Sequence, residues 1–375
     1  MFVQSSYNLS FTITKLLTKW QSIPKTGINS MHMVTLIEGN GIGPEITRAV
    51  KQIFKCADVP IKWENVETII DNDAAEDCYG LSCNFLQSAR NNKIILKGPL
   101  ATPIGKGYRS LNLRIRKALD LFANVRPCKS ITALPARISR YKNVNLVTFR
   151  ENTEGEYCGI EHELKKHSKL GYKIITEKAS NKIANFAFNY AANQFIDSKK
   201  TITVVHQMDY LPVTDGLFVS CCEREAEKYT SKVSYNKMDL SQICKQLIID
   251  PSKFDILLMP NLYGDIISDL CAGMIGGLGL TPSANIGISC AMFEAVHGSA
   301  PDIANKDLAN PIALLLSGLM MLDHMGLTQY SRRIRFSLQH IIENENHLLT
   351  RDLGGQSKCT EFTNHLCSHI KNNIA

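Results

Sequence analysis

From Met1 to Ile37 the chain carries no aspartate or glutamate; the first acidic side chain is Glu38. The same stretch is frequent in serine and threonine, and Lys15, Lys19 and Lys25 punctuate Leu16, Leu17, Trp20 and Ile23. An amphipathic, acid-poor leader of this kind has the composition of a mitochondrial presequence, although lysine stands where arginine is more usual. Residues 1–30 are therefore expected to be a targeting segment with the mitochondrial matrix as destination, and the fold to start near His32. Twelve cysteines are present, but no CxxC…CxxC or Cys/His ligand spacing is, and Cys221 and Cys222 are adjacent. That excludes a zinc site and a disulfide ladder and leaves reduced, buried small hydrophobes. No apolar run is long enough to span a bilayer. The formal net charge of +7 is modest, with lysines and arginines spread along the chain and not interleaved with aromatics, so nucleic acid is not an expected partner.

What is there is enough for a large core. A chain of 375 residues with 44% hydrophobic content should form about two domains. Strand-like runs (VTLI, NKIILKG, VNLVTF, TITVVH, FDILLMP) alternate with helical patterns, which points to an α/β fold. After the first run, Gly39, Gly41 and Gly43 make a tight turn, and Pro44 with Glu45 opens a helix. The spacing is GxGxG and not GxGxxG, and no acidic residue is suitably placed after a next strand. A Rossmann dinucleotide site is rejected.

Chemistry concentrates in two places. In NLYGDIISDLCAGMIGGLG, Asp265 and Asp269 are four apart, so a helix stacks them one turn from each other. Two carboxylates that close repel unless a cation lies between them, and oxygen ligands suit Mg²⁺ or Mn²⁺. An isolated pair of this kind is usually a solvated helix face. Here Leu262, Ile266, Ile267 and Leu270 imply burial and favour the metal reading. The second place is GYRSLNLRIRKALDLFANVRP, with Arg109, Arg114, Arg116 and Arg126, followed by Arg150 in TFRENTEGEY. With a helix starting near Ser110, Asn112 and Arg116 share a face while Arg114 points elsewhere. Arginines converging on a cleft suit a di- or tricarboxylate; Arg109 and Arg114 read as ordinary surface residues. Tyr157 becomes a candidate general acid if an adjacent cation lowers its pKa. Met320, Met321, Leu322 and Met325, at helical spacing, read as core, and His324 as a packing or capping residue.

GNGIGPE, KGPLATP, RSLNLRIRKALDLFANVRP, FRENTEGEY, MPNLYGDIISDLCAGMIGGLG and HGSAPDIA together resemble the metal-dependent β-decarboxylating dehydrogenases of the isocitrate/isopropylmalate dehydrogenase family. Within it, the mitochondrial NAD-dependent isocitrate dehydrogenase subunits are the most similar, over about Met33 to Leu366. The resemblance implies a large domain made of both chain ends (31–121 and 277–375) and a small domain (122–276) with a dimer clasp at about 155–179. It implies isocitrate on Ser110, Asn112, Arg116, Arg126 and Arg150, the metal on Asp265 and Asp269, and Tyr157 as the residue that protonates the enolate. Thr102, Glu294, His297, Gly298, Asp302, Ile303 and Asn310 match nucleotide-contacting positions. Asp302-Ile303 stands where NADP-dependent relatives place Lys-Tyr, so NAD is the expected cofactor, an aspartate repelling a 2′-phosphate.

Two departures bear on partners. Gln207 stands where the family has a lysine, and it has no titratable group. Ser241 stands where the family has a further metal aspartate, with Asp239 two residues away. In the family both groups reach into the neighbouring subunit's site. The resemblance thus implies a hetero-oligomer with related isocitrate dehydrogenase subunits, in which the partner completes the active site. The alternatives are a non-catalytic regulatory or structural subunit and, among enzymes, an isopropylmalate dehydrogenase. Against the latter, Ser110-Leu111-Asn112 offers polar groups for a third carboxylate where an isopropyl pocket needs apolar ones.

Overall fold

A computed structural model describes residues 31–67, 70, 79–101, 110–194 and 199–372. The expected targeting segment and Thr102 lie outside the described residues. In chain order the strands are β1 (His32–Ile37), β2 (Ile61–Asn65), β3 (Ile94–Lys97), β4 (Ala123–Lys129), β5 (Asn145–Glu151), β6 (Glu161–Lys165), β7 (Ser168–Gly171), β8 (Lys200–His206), β9 (Val233–Asp239), β10 (Ile256–Met259), β11 (Pro282–Ile286) and β12 (Ala291–Ala295). The helices are α1 (Gly43–Cys56), α2 (Cys83–Asn92), α3 (Leu111–Ala118), α4 (Glu177–Gln194), α5 (Thr214–Ala226), α6 (Leu240–Ile249), α7 (Asn261–Ile275), α8 (Ile312–His324), α9 (Thr328–Asn344) and α10 (Cys359–Asn372).

Ten strands form one sheet in the order β2-β1-β3-β12-β11-β4-β5-β10-β8-β9. Both wings are parallel: β2-β1-β3-β12, drawn from both chain ends, and β5-β10-β8-β9, drawn from the middle. The join, through β11 and β4, is antiparallel. Parallel strands covered on both faces need near-continuous apolar runs, and β3 and β10 are buried at every residue.

The glycine turn after β1 is built for close approach. Gly39 has φ +81°, and a Cβ there would lie 2.2 Å from the Pro99 carbonyl oxygen. Gly41, at φ +60°, would place one 1.9 Å from that of Ser299. Helix α1 then starts with Pro44 in its first turn and no side-chain cap. Helix α8 is apolar nearly all round and lies within the core against β11, β12 and α9. Met320, Met321 and Leu322 are core residues there, and His324 is fully buried against the Phe293 ring, its centroid 5.5 Å away. The described cysteines are all free thiols, and Cys221 and Cys222 are fully buried.

Outside the main sheet, β6 and β7 form an antiparallel ribbon in which every residue is exposed. A lone two-stranded ribbon is marginal in water unless it packs on something.

Candidate active site

The antiparallel pairing of β4 and β5 brings the arginines together. Arg150 faces Asn124, and Arg126 lies two residues further along the same face of β4. Helix α7 packs on that face, and Gly264 lets it come close. Arg150, buried, donates through Nε to Asn261 Oδ1 at 2.9 Å and through Nη1 to Asp265. Arg126, also buried, donates through Nη1 to Ser268 Oγ at 2.6 Å and to Asp269 Oδ1 at 3.0 Å. Tyr157 closes the group, its hydroxyl donating to Asp265 Oδ2 at 2.6 Å beneath the Arg150 guanidinium.

Helix α3 supplies the other wall. Ser110 stands just before its first residue, and its hydroxyl makes no cap and stays exposed. Asn112 and Arg116 share a face, and Arg114 turns away to the carbonyls of Tyr79 and Gly80. Asn112 Oδ1, Arg116 Nε and Arg126 Nε are shielded from solvent and have no hydrogen-bond partner among the described residues. Shielded polar atoms without partners are costly, and at a cleft they mark where a ligand's oxygens and donors belong.

The electrostatics fit a polyanion. Burial and the neighbouring charges of Arg116 and Arg126 bring Arg150 down to about 10, although Asp265 opposes them. Burial alone would raise the Asp265 carboxyl, but Arg150, the Tyr157 hydrogen bond, Arg126 and Arg116 outweigh it and hold it low. Tyr157 moves against the expectation from sequence. A cation is adjacent, yet burial together with the hydrogen bond and charge of Asp265 pushes the phenol up to about 12. It therefore keeps its proton at neutral pH, as a donor must.

The acidic pair is also more open than its apolar neighbours suggested. The Asp265 and Asp269 side chains are 33% and 57% exposed, and Ile266 is exposed beside them. Helix α7 buries the face bearing Tyr263, Ile267 and Cys271, so the face bearing the carboxylates opens to the cleft. Such openness suits a site that must admit a cation and a substrate. No group of three His, Cys, Asp or Glu side chains suited to a metal occurs among the described residues, so the pair by itself does not make a complete metal shell. Asp239 is the N-cap of α6: its Oδ1 accepts from the Ser241 N–H and hydroxyl, both at 2.7 Å.

On the other side of the cleft, Glu294 of β12 lies opposite Lys97 of β3. Its carboxylate accepts from Lys97 Nζ at 2.6 Å, Arg116 at 3.3 Å and Asn285 at 2.7 Å. Burial would raise this carboxyl, but Lys97, Arg116 and Asn285 hold it at about 2. His297 and Gly298 follow in the loop after β12. Burial and the Lys97 charge lower the imidazole pKa, and its Nε2 is shielded with no partner among the described residues. Asp302 and Ile303 lie on a short 3₁₀ turn, and Asn310 stands just before α8.

The isocitrate/isopropylmalate dehydrogenase family pattern matches residues 33–366. The chain belongs to this family. It is 50% identical to the mitochondrial isocitrate dehydrogenase [NAD] subunit alpha of Homo sapiens, over 90% of each chain. It is likewise 50% identical to the mitochondrial isocitrate dehydrogenase [NAD] catalytic subunit 5 of Arabidopsis thaliana, over 90% of this chain and 88% of that one. The crystal structure of isocitrate dehydrogenase from Methylococcus capsulatus superposes with a TM-score of 0.82 at 40% identity, covering 91% of this chain and all of the other.

As a member of the isocitrate/isopropylmalate dehydrogenase family, the chain brings Arg116, Arg126, Arg150, Tyr157, Asp265 and Asp269 to one cleft, with Ser110 and Asn112 on its wall. Several contributors were not singled out from sequence. Lys97 lay unremarked in KGPLATP, and Asn261 and Ser268 on α7 are the groups that orient Arg150 and Arg126. A further buried cluster lies behind α7: Asp215, fully buried, accepts from Lys173 Nζ at 2.5 Å, Tyr263 Oη at 3.0 Å and the Gln207 N–H at 2.7 Å. Gln207 itself keeps its Oε1 shielded and unpartnered among the described residues.

Two expected results follow from this packing. In Gly264→Ala the added Cβ would meet Arg150 Cβ at 2.6 Å and Cγ at 2.7 Å. Overpacking of about 1–3 kcal/mol is expected, seen as a lower melting temperature together with weaker substrate binding, because the displaced side chain is Arg150. Glu294 sets an acid-stability limb. Its folded pKa of about 2 is below the unfolded value of about 4.3. Its stabilisation is thus complete above the unfolded value and is lost as pH falls through the folded one. Glu294→Gln should melt lower at neutral pH, and the gap to the wild type should shrink in melting curves between about pH 4.3 and pH 2.

Proposed function

We propose that this chain is a subunit of a mitochondrial matrix NAD-dependent isocitrate dehydrogenase that oxidatively decarboxylates isocitrate to 2-oxoglutarate in the tricarboxylic acid cycle. The observation that carries the reading is the convergence of three guanidinium groups, a protonated tyrosine and an open aspartate pair in one cleft of a family member. Arg116, Arg126 and Arg150 receive the substrate carboxylates, and Ser110 and Asn112 supply polar contacts for the third. Asn261 and Ser268 hold Arg150 and Arg126 in orientation, so little reorganisation accompanies binding.

Asp265 and Asp269 are the residues that would hold Mg²⁺ or Mn²⁺, which when bound supplies polarisation of the substrate hydroxyl and stabilisation of developing enolate charge. Tyr157, protonated and within reach of that centre, returns a proton to carbon once carbon dioxide has left. On the opposite wall Glu294, His297, Gly298, Ile303 and Asn310 form the surface for NAD, the hydride acceptor, with Thr102 assigned there from sequence. Asp302 suits ribose hydroxyls and disfavours a 2′-phosphate. The exposed β6–β7 ribbon and, separately, Tyr210 at 82% and Val213 at 83% exposure in the segment after β8 support docking of a related subunit. That subunit would bring the lysine and aspartate that Gln207 and Ser241 do not provide. The alternative of a purely regulatory subunit gains no support, since the carboxylate, arginine and tyrosine set is intact.

The test is NADH formation by this chain co-expressed with a related subunit, with Mn²⁺, comparing isocitrate with isopropylmalate and NAD with NADP. Turnover of isocitrate is expected, with NAD preferred by at least about tenfold because a like-charge contact costs several kcal/mol. Isopropylmalate as the better substrate, or an assembled complex that turns over neither, would defeat the reading.

A further inference from the structure

Helices α1 and α10 come from opposite ends of the described chain and pack against each other. They run parallel, and their contacts climb both helices together. Near the two N-terminal ends, Glu45 and Arg48 of α1 share a recess with Cys359 and Thr360 of α10. A turn further on, Gln52 Nε2 donates to Asn364 Oδ1 at 2.8 Å. The next turn sets Cys56, the last residue of α1, against Cys367, and the two thiols hydrogen-bond. The thiol pair is thus a product of helix register, one step beyond the amide contact.

Cys56 is partly exposed at the edge of the core, whereas Cys367 is 5% exposed and belongs to it. One thiol is open to solvent and the other is sealed behind it. Cys128 and Cys271 also touch, but both are fully buried, as are the adjacent Cys221 and Cys222. Of these three pairs, the one between α1 and α10 is the one a dissolved reagent reaches. A disulfide needs Cα atoms within about 7 Å and Cβ atoms aimed at each other. Thiols in contact across two packed helices start near that geometry. Burial, with the hydrogen bond and charge of Cys56, pushes the Cys367 thiol up to about 12, although Lys371 and Gln52 pull the other way. Its thiolate is scarce at neutral pH, so closure is slow there and quickens as pH rises.

We propose that Cys56 and Cys367 are a dithiol that oxidises to a disulfide by exchange with a low-molecular-weight disulfide, fastening α1 to α10. With glutathione disulfide, the Cys56 thiolate attacks one sulfur, that S–S bond breaks, and one glutathione leaves and takes up a proton. The Cys367 proton goes to solvent, and its sulfur displaces the second glutathione from Cys56. Two protein thiols are oxidised and one glutathione disulfide is reduced to two thiols. The link closes nearly the whole folded chain into one loop, and a cross-link across a long loop restricts the unfolded chain most.

The experiment incubates the reduced full chain with glutathione disulfide at about pH 8.5, where thiolate is more plentiful than at neutral pH. Unreacted thiols are then blocked, and the peptides are mapped by mass spectrometry without reduction. A melting curve is taken before and after oxidation, for wild type and Cys56→Ser. A peptide pair joined through Cys56 and Cys367 is expected, preceded by a mixed disulfide on Cys56. The melting temperature should rise by about 5 °C in wild type, return on reduction, and stay unchanged in Cys56→Ser. Cys367 left as a free thiol, with Cys56 free or still carrying glutathione, would overturn the proposal. So would an equal rise in Cys56→Ser, which would place the effect on other thiols. The peptide result is read on wild type and decides the matter even if the serine variant does not fold.

Discussion

Asp265→Asn should lower kcat/KM for isocitrate by about a thousandfold or more, measured as Mn²⁺-dependent NADH formation by the assembled complex. The magnitude follows from the charge removed. A divalent ion contributes several kcal/mol of transition-state stabilisation, and each 1.36 kcal/mol is a factor of ten. Asparagine keeps the size of the side chain but not the charge that makes a hard-cation ligand. It also leaves one acceptor oxygen where Asp265 offers two, so Arg150 and the Tyr157 hydroxyl, 2.6 Å from Asp265 Oδ2, can no longer both donate there. The variant tests more than one arm of the reading, because Mn²⁺ affinity can be measured by titration without turnover and should fall with the rate. A lower melting temperature is expected as well, since Arg150 is buried and loses its carboxylate partner. Partial exposure of Asp265 and solvent screening temper that loss. Turnover within about tenfold of wild type, with Mn²⁺ still required, would mean that the metal sits elsewhere.

That Asp265 and Asp269 share a helix face was readable from spacing, but their exposure was not. Leu262, Ile266, Ile267 and Leu270 suggested a buried pair, whereas α7 turns Ile267 inward and leaves Ile266 and Asp269 open. A 3.6-residue period says which residues share a face and not which face meets the core when both sides carry apolar groups. The start of α3 near Ser110 and the strands around β1, β3, β5, β8 and β10 were legible because local signals (apolar runs, a proline in the first turn, glycine spacing) agree with the tertiary packing. The contact between Lys97 and Glu294 was not, because it depends on β3 and β12, distant in sequence, being sheet neighbours. The direction of the Tyr157 shift was lost for a related reason. Sequence could place a cation near the phenol but could not weigh it against Asp265, which accepts its hydrogen bond. Family-specific motifs suggested roles for these residues that geometry alone leaves open.

Gln207 and Ser241 carry the second large effect. The Gln207 backbone is well anchored, its N–H on Asp215, while its side-chain oxygen is shielded and unpartnered among the described residues. The backbone hydrogen bond to Asp215 does not involve the side chain, so Gln207→Lys leaves that anchor available. Ser241 is in the first turn of α6, where an acidic residue is favoured by the helix dipole. Asp239 caps the same helix through its Oδ1. If a neighbouring subunit normally supplies a proton-transfer group and a metal ligand from these two positions, the chain alone should turn over isocitrate poorly. The pair Gln207→Lys with Ser241→Asp should then raise homo-oligomer activity by about a hundredfold or more, the usual worth of a placed acid–base group. Either substitution alone should give much less, because a site lacking its base or its ligand gains little from the other. In the mixed complex the double variant should change little at the site built on this chain, whose donations come from the partner. The comparison is NADH formation per assembled site for the chain alone, the double variant alone and the mixture. A wild-type chain that by itself matches the mixture would show that its sites are complete without a donor subunit, and the partner requirement would fall.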